Sequence, residues 1–113
     1  MHEMSLALNI VRIAAERARA AGARRVNRVT VAVGALAGVE TEALRFCFDA
    51  ARREEPLTAG AELVLEDVPA RGRCAACGEV PLPMLVGCCP ACGRPGLEIV
   101  SGRELAVRAL NVD

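Results

Sequence analysis

Cys74-Ala75-Ala76-Cys77-Gly78 and Cys89-Pro90-Ala91-Cys92-Gly93 are two copies of one device in the last third of the chain, with eleven residues between Cys77 and Cys89. Two cysteines with two residues between them can turn both thiolates onto one metal ion. The glycine after each pair tolerates the positive φ that so tight a turn needs, and Pro90 stiffens the second. Four thiolates from two such knuckles make a closed tetrahedral site of the kind that holds structural zinc. Iron competes for the same geometry, as in rubredoxin-like electron carriers. Such a carrier would leave the rest of the chain without a purpose. Either metal would have no open coordination position, so the reading is structural rather than catalytic.

Two further cysteines complicate the count. Cys88 directly precedes Cys89 and competes with it as fourth ligand, although only Cys89 repeats the two-residue spacing and begins the Cys-Pro-x-Cys-Gly turn. Cys47 lies far from the knuckles in sequence and reads as a buried packing cysteine. Six cysteines can also signal a secreted disulfide framework. Against that, Glu3 precedes any positive side chain, and Arg12, Glu16, Arg17 and Arg19 interrupt the first apolar stretch, unlike a secretory signal.

The single histidine is the second residue. On position alone it reads as a solvated tail residue. Its chemistry permits more, because a metal held by imidazole can recruit neighbouring main-chain nitrogens into five- and six-membered chelate rings. The resulting planar nitrogen set suits Ni(II) or Cu(II) and fits Zn(II) poorly. Imidazole must be neutral to ligate, so retention would be sensitive to mild acid.

Composition narrows the classes further. The 113 residues fit one domain with at most a small satellite, and 53% hydrophobic residues can form a core. With aromatics at 2%, that core is built from Ala, Val, Leu and Ile. Fourteen basic and fourteen acidic residues cancel, so no global field draws nucleic acid or anionic lipid. Base-stacking platforms are missing too, since Phe46 and Phe48 are the only aromatic residues. Every basic residue is Arg, which excludes Schiff-base chemistry and a P-loop lysine. No segment approaches the length of a membrane span.

These sites need a scaffold. Ser5 to about Ala21 reads as an amphipathic helix, with Ser5, Asn9, Arg12, Glu16 and Arg19 on one face and Leu6, Ile10, Val11, Ile13 and Ala14 opposite. Val29, Val31 and Val33 alternate as a strand does. A second helix is expected from Thr41 to Arg53, burying Leu44, Phe48 and Ala51, and a second strand from Glu62 to Val68. Residues 69–95 show no convincing periodicity. Leu97–Val100 and Glu104–Val112 read as strands joined in a hairpin at Ser101-Gly102. The expectation is an α/β fold, a small sheet of about three strands packed by two helices, with an inserted zinc-ribbon-like lobe of four cysteines. Its domains would be 1–69 with 96–113, and 70–95.

Met1-His2-Glu3-Met4-Ser5-Leu6-Ala7 at the head of a helix, together with the paired knuckles, resembles the HypA/HybF family of hydrogenase maturation proteins. The likeness continues through Val33-Gly34-Ala35-Leu36-Ala37-Gly38-Val39, Leu44-Arg45-Phe46-Cys47-Phe48, Leu63-Val64-Leu65-Glu66 and Gly102-Arg103-Glu104-Leu105, so it covers essentially the whole chain. The resemblance implies a cytoplasmic nickel metallochaperone rather than an enzyme. It implies Ni(II) as transferred cargo on His2, with Met1 and the Glu3 backbone contributing nitrogens, and Zn(II) on Cys74, Cys77, Cys89 and Cys92. Glu3 and Glu40 become candidate carboxylates near nickel, although Glu40 reads first as a solvated residue. Implied partners are a maturation GTPase, the large subunit of [NiFe]-hydrogenase and, in some lineages, urease maturation proteins, with no nucleic acid or membrane. The alternatives are a rubredoxin-like electron carrier and a zinc-ribbon protein-interaction adaptor.

Overall fold

A computed structural model describes residues 2–84 and 87–113. Helix α1 (Glu3–Ala20) begins two residues earlier than its apolar pattern suggests, with His2 as its N-cap. Glu3 in the first turn and Arg17 and Arg19 in the last complement the helix dipole. Its end is a Schellman motif: the Ala23 amide donates to Ala18 O (2.9 Å) and the Gly22 amide to Arg19 O (3.0 Å). That closure requires the left-handed backbone that Gly22 adopts, with φ of 71°. The buried stripe is Ala7, Ile10, Val11, Ala14, Ala15 and Ala18, and its four alanines let a neighbouring element approach closely.

Strand β1 (Val26–Gly34) follows, then helix α2 (Thr41–Ala51). Glu40 caps α2, its carboxylate accepting from the Glu42 amide at 2.8 Å. As expected, Leu44, Phe48 and Ala51 are its buried residues. The helix stops short of Arg53 and tightens into 3₁₀ turns at Arg52–Glu54 and Pro56–Thr58. Pro56 forces Glu55 into extended backbone, and buried Thr58 secures the bend by donating to Arg52 O at 3.0 Å. Cys47 is half-buried rather than fully enclosed.

Strands β2 (Glu62–Val68), β3 (Arg71–Cys74), β4 (Gly78–Pro81), β5 (Glu98–Ser101) and β6 (Leu105–Val112) complete the fold. They form two three-stranded sheets, in the orders β2-β1-β6 and β4-β3-β5. The expected hairpin at Ser101-Gly102 is therefore absent. β5 pairs with β3 while β6 joins the other sheet, because Gly102, with φ of 111°, redirects the chain between two sheets instead of folding it back. β3 and β4 were not anticipated. Each is four residues long, and neither carries the run of β-branched residues that marks a strand.

The chain divides into two compact units. The first comprises Met1–Val31, Val39–Glu66 and Ala106–Asp113, and its buried hydrophobic residues come from both helices and from Val26, Val29, Val31, Ala61 and Leu63. The second comprises Ala32–Gly38 and Asp67–Leu105. Its core is Ala70, Cys74, Val80, Leu82 and Cys89, with Leu36, Leu97 and Ile99 packed against it. Two of those five core residues are cysteines of the knuckles. None of the described helices is long and apolar enough to cross a membrane.

Three segments of the second unit meet at near-contact distance. A methyl group on Gly34 would lie 2.1 Å from Gly102 O, and one on Gly102 would lie 2.7 Å from Ala70 Cα. Only glycine leaves room for the bonds made there, Gly34 N–H to Glu104 O (2.7 Å) and Leu36 N–H to Gly102 O (2.6 Å).

Candidate metal centre

The first knuckle is the turn of a hairpin. β3 ends at Cys74 and β4 begins at Gly78, and these two residues pair across the ladder. The second knuckle is closed by its own backbone, with Cys89 N–H donating to Arg94 O and Gly93 N–H to Cys89 O, both at 2.8 Å. Gly78 and Gly93 adopt φ of 76° and 79°, the same left-handed step after each pair.

These turns bring the sulfurs of Cys74, Cys77, Cys89 and Cys92 within 4.8 Å of one another. Cys74 Sγ and Cys92 Sγ are 3.6 Å apart. A tetrahedral zinc thiolate with bonds of ~2.3 Å has sulfurs about 3.8 Å apart, so the cluster is already near the required size. One cysteine of each pair (Cys74, Cys89) is buried and the other (Cys77, Cys92) exposed. Cys88 is exposed and is not part of the cluster, its backbone instead forming a bridge to Pro95. Successive residues of an extended segment point to opposite sides, so with Cys89 inward Cys88 faces out.

Cys74, Cys77 and Cys92 differ in how readily each gives up its proton. The amides of Cys77 and then Ala76 hydrogen-bond the Cys74 sulfur and lower its pKa to about 6, against the effect of burial. Cys77 is pushed up to about 12 by its hydrogen bond with Cys92, then by burial and the other sulfurs. At Cys92 the Arg94 amide lowers the value, but burial and Cys74 outweigh it and the thiol is raised. One ionised sulfur opposes ionisation of its neighbours, and a divalent cation at the centre relieves that repulsion. The donor set of four sulfurs fits zinc.

At the other candidate site, Met1 lies outside the described residues. His2 is exposed at the start of α1, and its carbonyl accepts the first helical bond from Leu6 N–H at 3.1 Å. Glu3 reaches Glu40, its Oε2 accepting from the Glu40 amide at 3.3 Å. The two acidic residues are thus neighbours through a backbone bond. The role of Glu40 as cap of α2 was not apparent in the sequence, though a glutamate just before Thr41-Glu42 was an available signal.

Four convergent thiols on a pair of knuckles define a metal-thiolate protein. Residues 1–112 match the family model described as hydrogenase/urease nickel incorporation, metallochaperone, hypA, and the chain belongs to that family. Hydrogenase maturation factor HypA of Chlorobaculum tepidum is 47% identical, with 100% of both chains covered. That of Geotalea daltonii is 48% identical over 99% of each. The fold matches the solution structure of the Ni metallochaperone HypA from Helicobacter pylori with a TM-score of 0.74, at 24% identity and covering 99% of this chain and 97% of that one.

Proposed function

We propose that this chain binds Ni(II) as cargo at its N-terminal Met-His-Glu segment and passes it on during hydrogenase maturation. His2 would supply the imidazole, with main-chain nitrogens of Met1, His2 and Glu3 in the plane. The observation that carries this reading is the exposed His2 as N-cap of α1 in a chain of the nickel-incorporation family. The amides of Glu3, Met4 and Ser5 precede the first helical bond, which reaches back from Leu6, so helix formation makes no claim on them. A metal can deprotonate and bind such an amide without breaking the helix. Planar nitrogen coordination then selects Ni(II) over Zn(II).

The second site would hold Zn(II) on Cys74, Cys77, Cys89 and Cys92, with residues 70–95 as the zinc-binding domain. Zinc there supplies a crosslink, and the chemistry of transfer stays with the N-terminus. The role is that of a carrier, in which no substrate bond is made or broken. Its partners would be a GTPase of the maturation machinery and the [NiFe]-hydrogenase large subunit, with urease maturation proteins as further clients, all in the cytoplasm.

The test is calorimetric titration of untagged protein with Ni(II), against a His2→Ala variant. His2→Ala should lose at least ~10-fold in nickel affinity while keeping its zinc content and its circular dichroism spectrum. Unchanged nickel affinity in that variant would remove the site.

A further inference from the structure

The four sulfurs of the metal cluster are not equally open to solvent. Cys74 and Cys89 sit in the core of the second unit, at 5% and 1% exposure, whereas Cys77 and Cys92 are exposed. A bound cation holds all four as thiolates, the form that reacts with oxidants. Small oxidants therefore meet this centre first at its outer sulfurs.

Behind Cys92 stands a second sulfur in position to react. Cys74 Sγ lies 3.6 Å from Cys92 Sγ, close to the ~3–3.5 Å of a near-attack arrangement. The two belong to different knuckles, 18 positions apart in the chain. The Cys74 sulfur is fixed in place, because the amides of Cys77 and Ala76 both hydrogen-bond to it. Cys88 offers another exposed thiol on the second segment, but it stands outside the cluster.

We propose that the cluster is a peroxide-responsive switch in which Cys92 is oxidised first and Cys74 then closes a disulfide onto it. In the first step the Cys92 thiolate attacks hydrogen peroxide. The O–O bond breaks, a sulfenic acid forms on Cys92, and hydroxide leaves to take up a proton as water. In the second step the Cys74 thiolate attacks the Cys92 sulfur. The S–S bond forms, the S–O bond breaks, and the departing hydroxide is protonated to a second water. Two thiolates have then lost two electrons, and one peroxide has been reduced to two waters. Cys77 and Cys89 remain, half the donors that a closed tetrahedral site needs, so zinc is released. The new bond joins the end of β3 to the second knuckle, the same two turns that the metal joined. Oxidation thus exchanges one crosslink for another, and the β3–β4 hairpin persists. The inference rests on the zinc reading of these cysteines and is independent of nickel at His2.

The experiment treats the full zinc-loaded chain with hydrogen peroxide. Zinc content is measured before treatment, and release is followed with a chromogenic zinc chelator. The bound zinc should be released, and should rebind after reduction with dithiothreitol. Cleavage after Glu79 separates Cys74 and Cys77 from Cys88, Cys89 and Cys92, and fragmentation of the joined peptides locates the disulfide. It should link Cys74 to Cys92. Cys88→Ser should release zinc within about twofold of the native rate. The Val80 and Leu82 amides should stay protected from hydrogen exchange after oxidation, and exchange at least ~10-fold faster in reduced protein stripped by chelator. A chain without zinc before treatment would remove the zinc reading, and the switch with it. With zinc present, retention of the metal under peroxide, or a disulfide inside either knuckle, from Cys77 to Cys92 or through Cys88, would overturn the switch alone. So would release slowed about tenfold by Cys88→Ser, or loss of amide protection on oxidation.

Discussion

Replacing Gly34 by alanine adds one methyl group, and its consequence can be worked from distances. The new Cβ would sit 2.1 Å from Gly102 O, 2.2 Å from Gly102 C and 2.7 Å from Arg103 N, all backbone atoms that no rotamer change can move away. Contact distance for such pairs is about 3.3 Å, so the two segments must separate by roughly 1 Å. That movement breaks Gly34 N–H to Glu104 O and Leu36 N–H to Gly102 O, bonds of 2.7 and 2.6 Å between segments whose two glycines are buried. Each lost bond costs about 1 kcal/mol, and overpacking a tight site adds about 1–3 kcal/mol. Lower unfolded-chain entropy in the alanine variant returns up to ~1 kcal/mol. The net expectation is a loss of about 2–5 kcal/mol. For a chain of this size, at roughly 4 °C per kcal/mol, that corresponds to a Tm lower by roughly 10–20 °C. The assay is thermal unfolding of metal-loaded protein followed by circular dichroism. Gly60→Ala is the control, because a methyl group there meets nothing within 4 Å. Equal Tm values for the two variants would refute the steric reasoning.

Zinc content should separate the adjacent cysteines. Cys89→Ser, at a buried cluster position, should lose bound zinc and the protection of Val80 and Leu82 amides in hydrogen exchange, whereas exposed Cys88→Ser should retain both. Retained zinc in Cys89→Ser with loss in Cys88→Ser would reverse the ligand assignment. Acid should weaken the fold through its paired carboxylates. The Arg52 hydrogen bond, then Arg53, lowers the pKa of Asp49, and Arg25 followed by Asn27 does so for Asp113. A carboxylate lowered on folding stabilises fully above its ordinary value of 3.8, and that contribution is lost as pH falls through the folded-state value. Urea midpoints measured from pH 6 down to pH ~2 should thus fall less steeply for Asp49→Asn than for the native chain, by a small margin because the pair is exposed. An unchanged slope would show that the pair contributes nothing.

Much of this molecule was open to reading from residue order. Helix α1 announced itself because its apolar residues recur at helical spacing over five turns, and Gly22 supplied the only backbone that closes it. The cysteine pairs carried their chemistry in their spacing, since a two-residue separation followed by glycine has few other uses. His2 stood out because it is the sole imidazole. Other features had no local signature. Strands β3 (Arg-Gly-Arg-Cys) and β4 (Gly-Glu-Val-Pro) are too short to show a period, and they exist because the knuckle between them is a hairpin turn. The separation of β5 from β6 into different sheets depended on partners distant in sequence, where a local Ser-Gly pair favoured a hairpin. Which cysteine of the Cys88-Cys89 doublet turns inward was settled by the backbone bonds from Cys89 to Arg94 and Gly93.

Residue order by itself therefore determined what kinds of atoms are available, soft sulfur in fours and one imidazole at the head of a helix, because donor type and short-range spacing are local properties. Only tertiary structure decided the gathering of two knuckles into one cluster, the glycine crossing at Gly34 and Gly102, and the bond between Glu3 and the Glu40 amide. Each joins segments far apart along the chain, and the energy that brings them together comes from packing that no single segment contains.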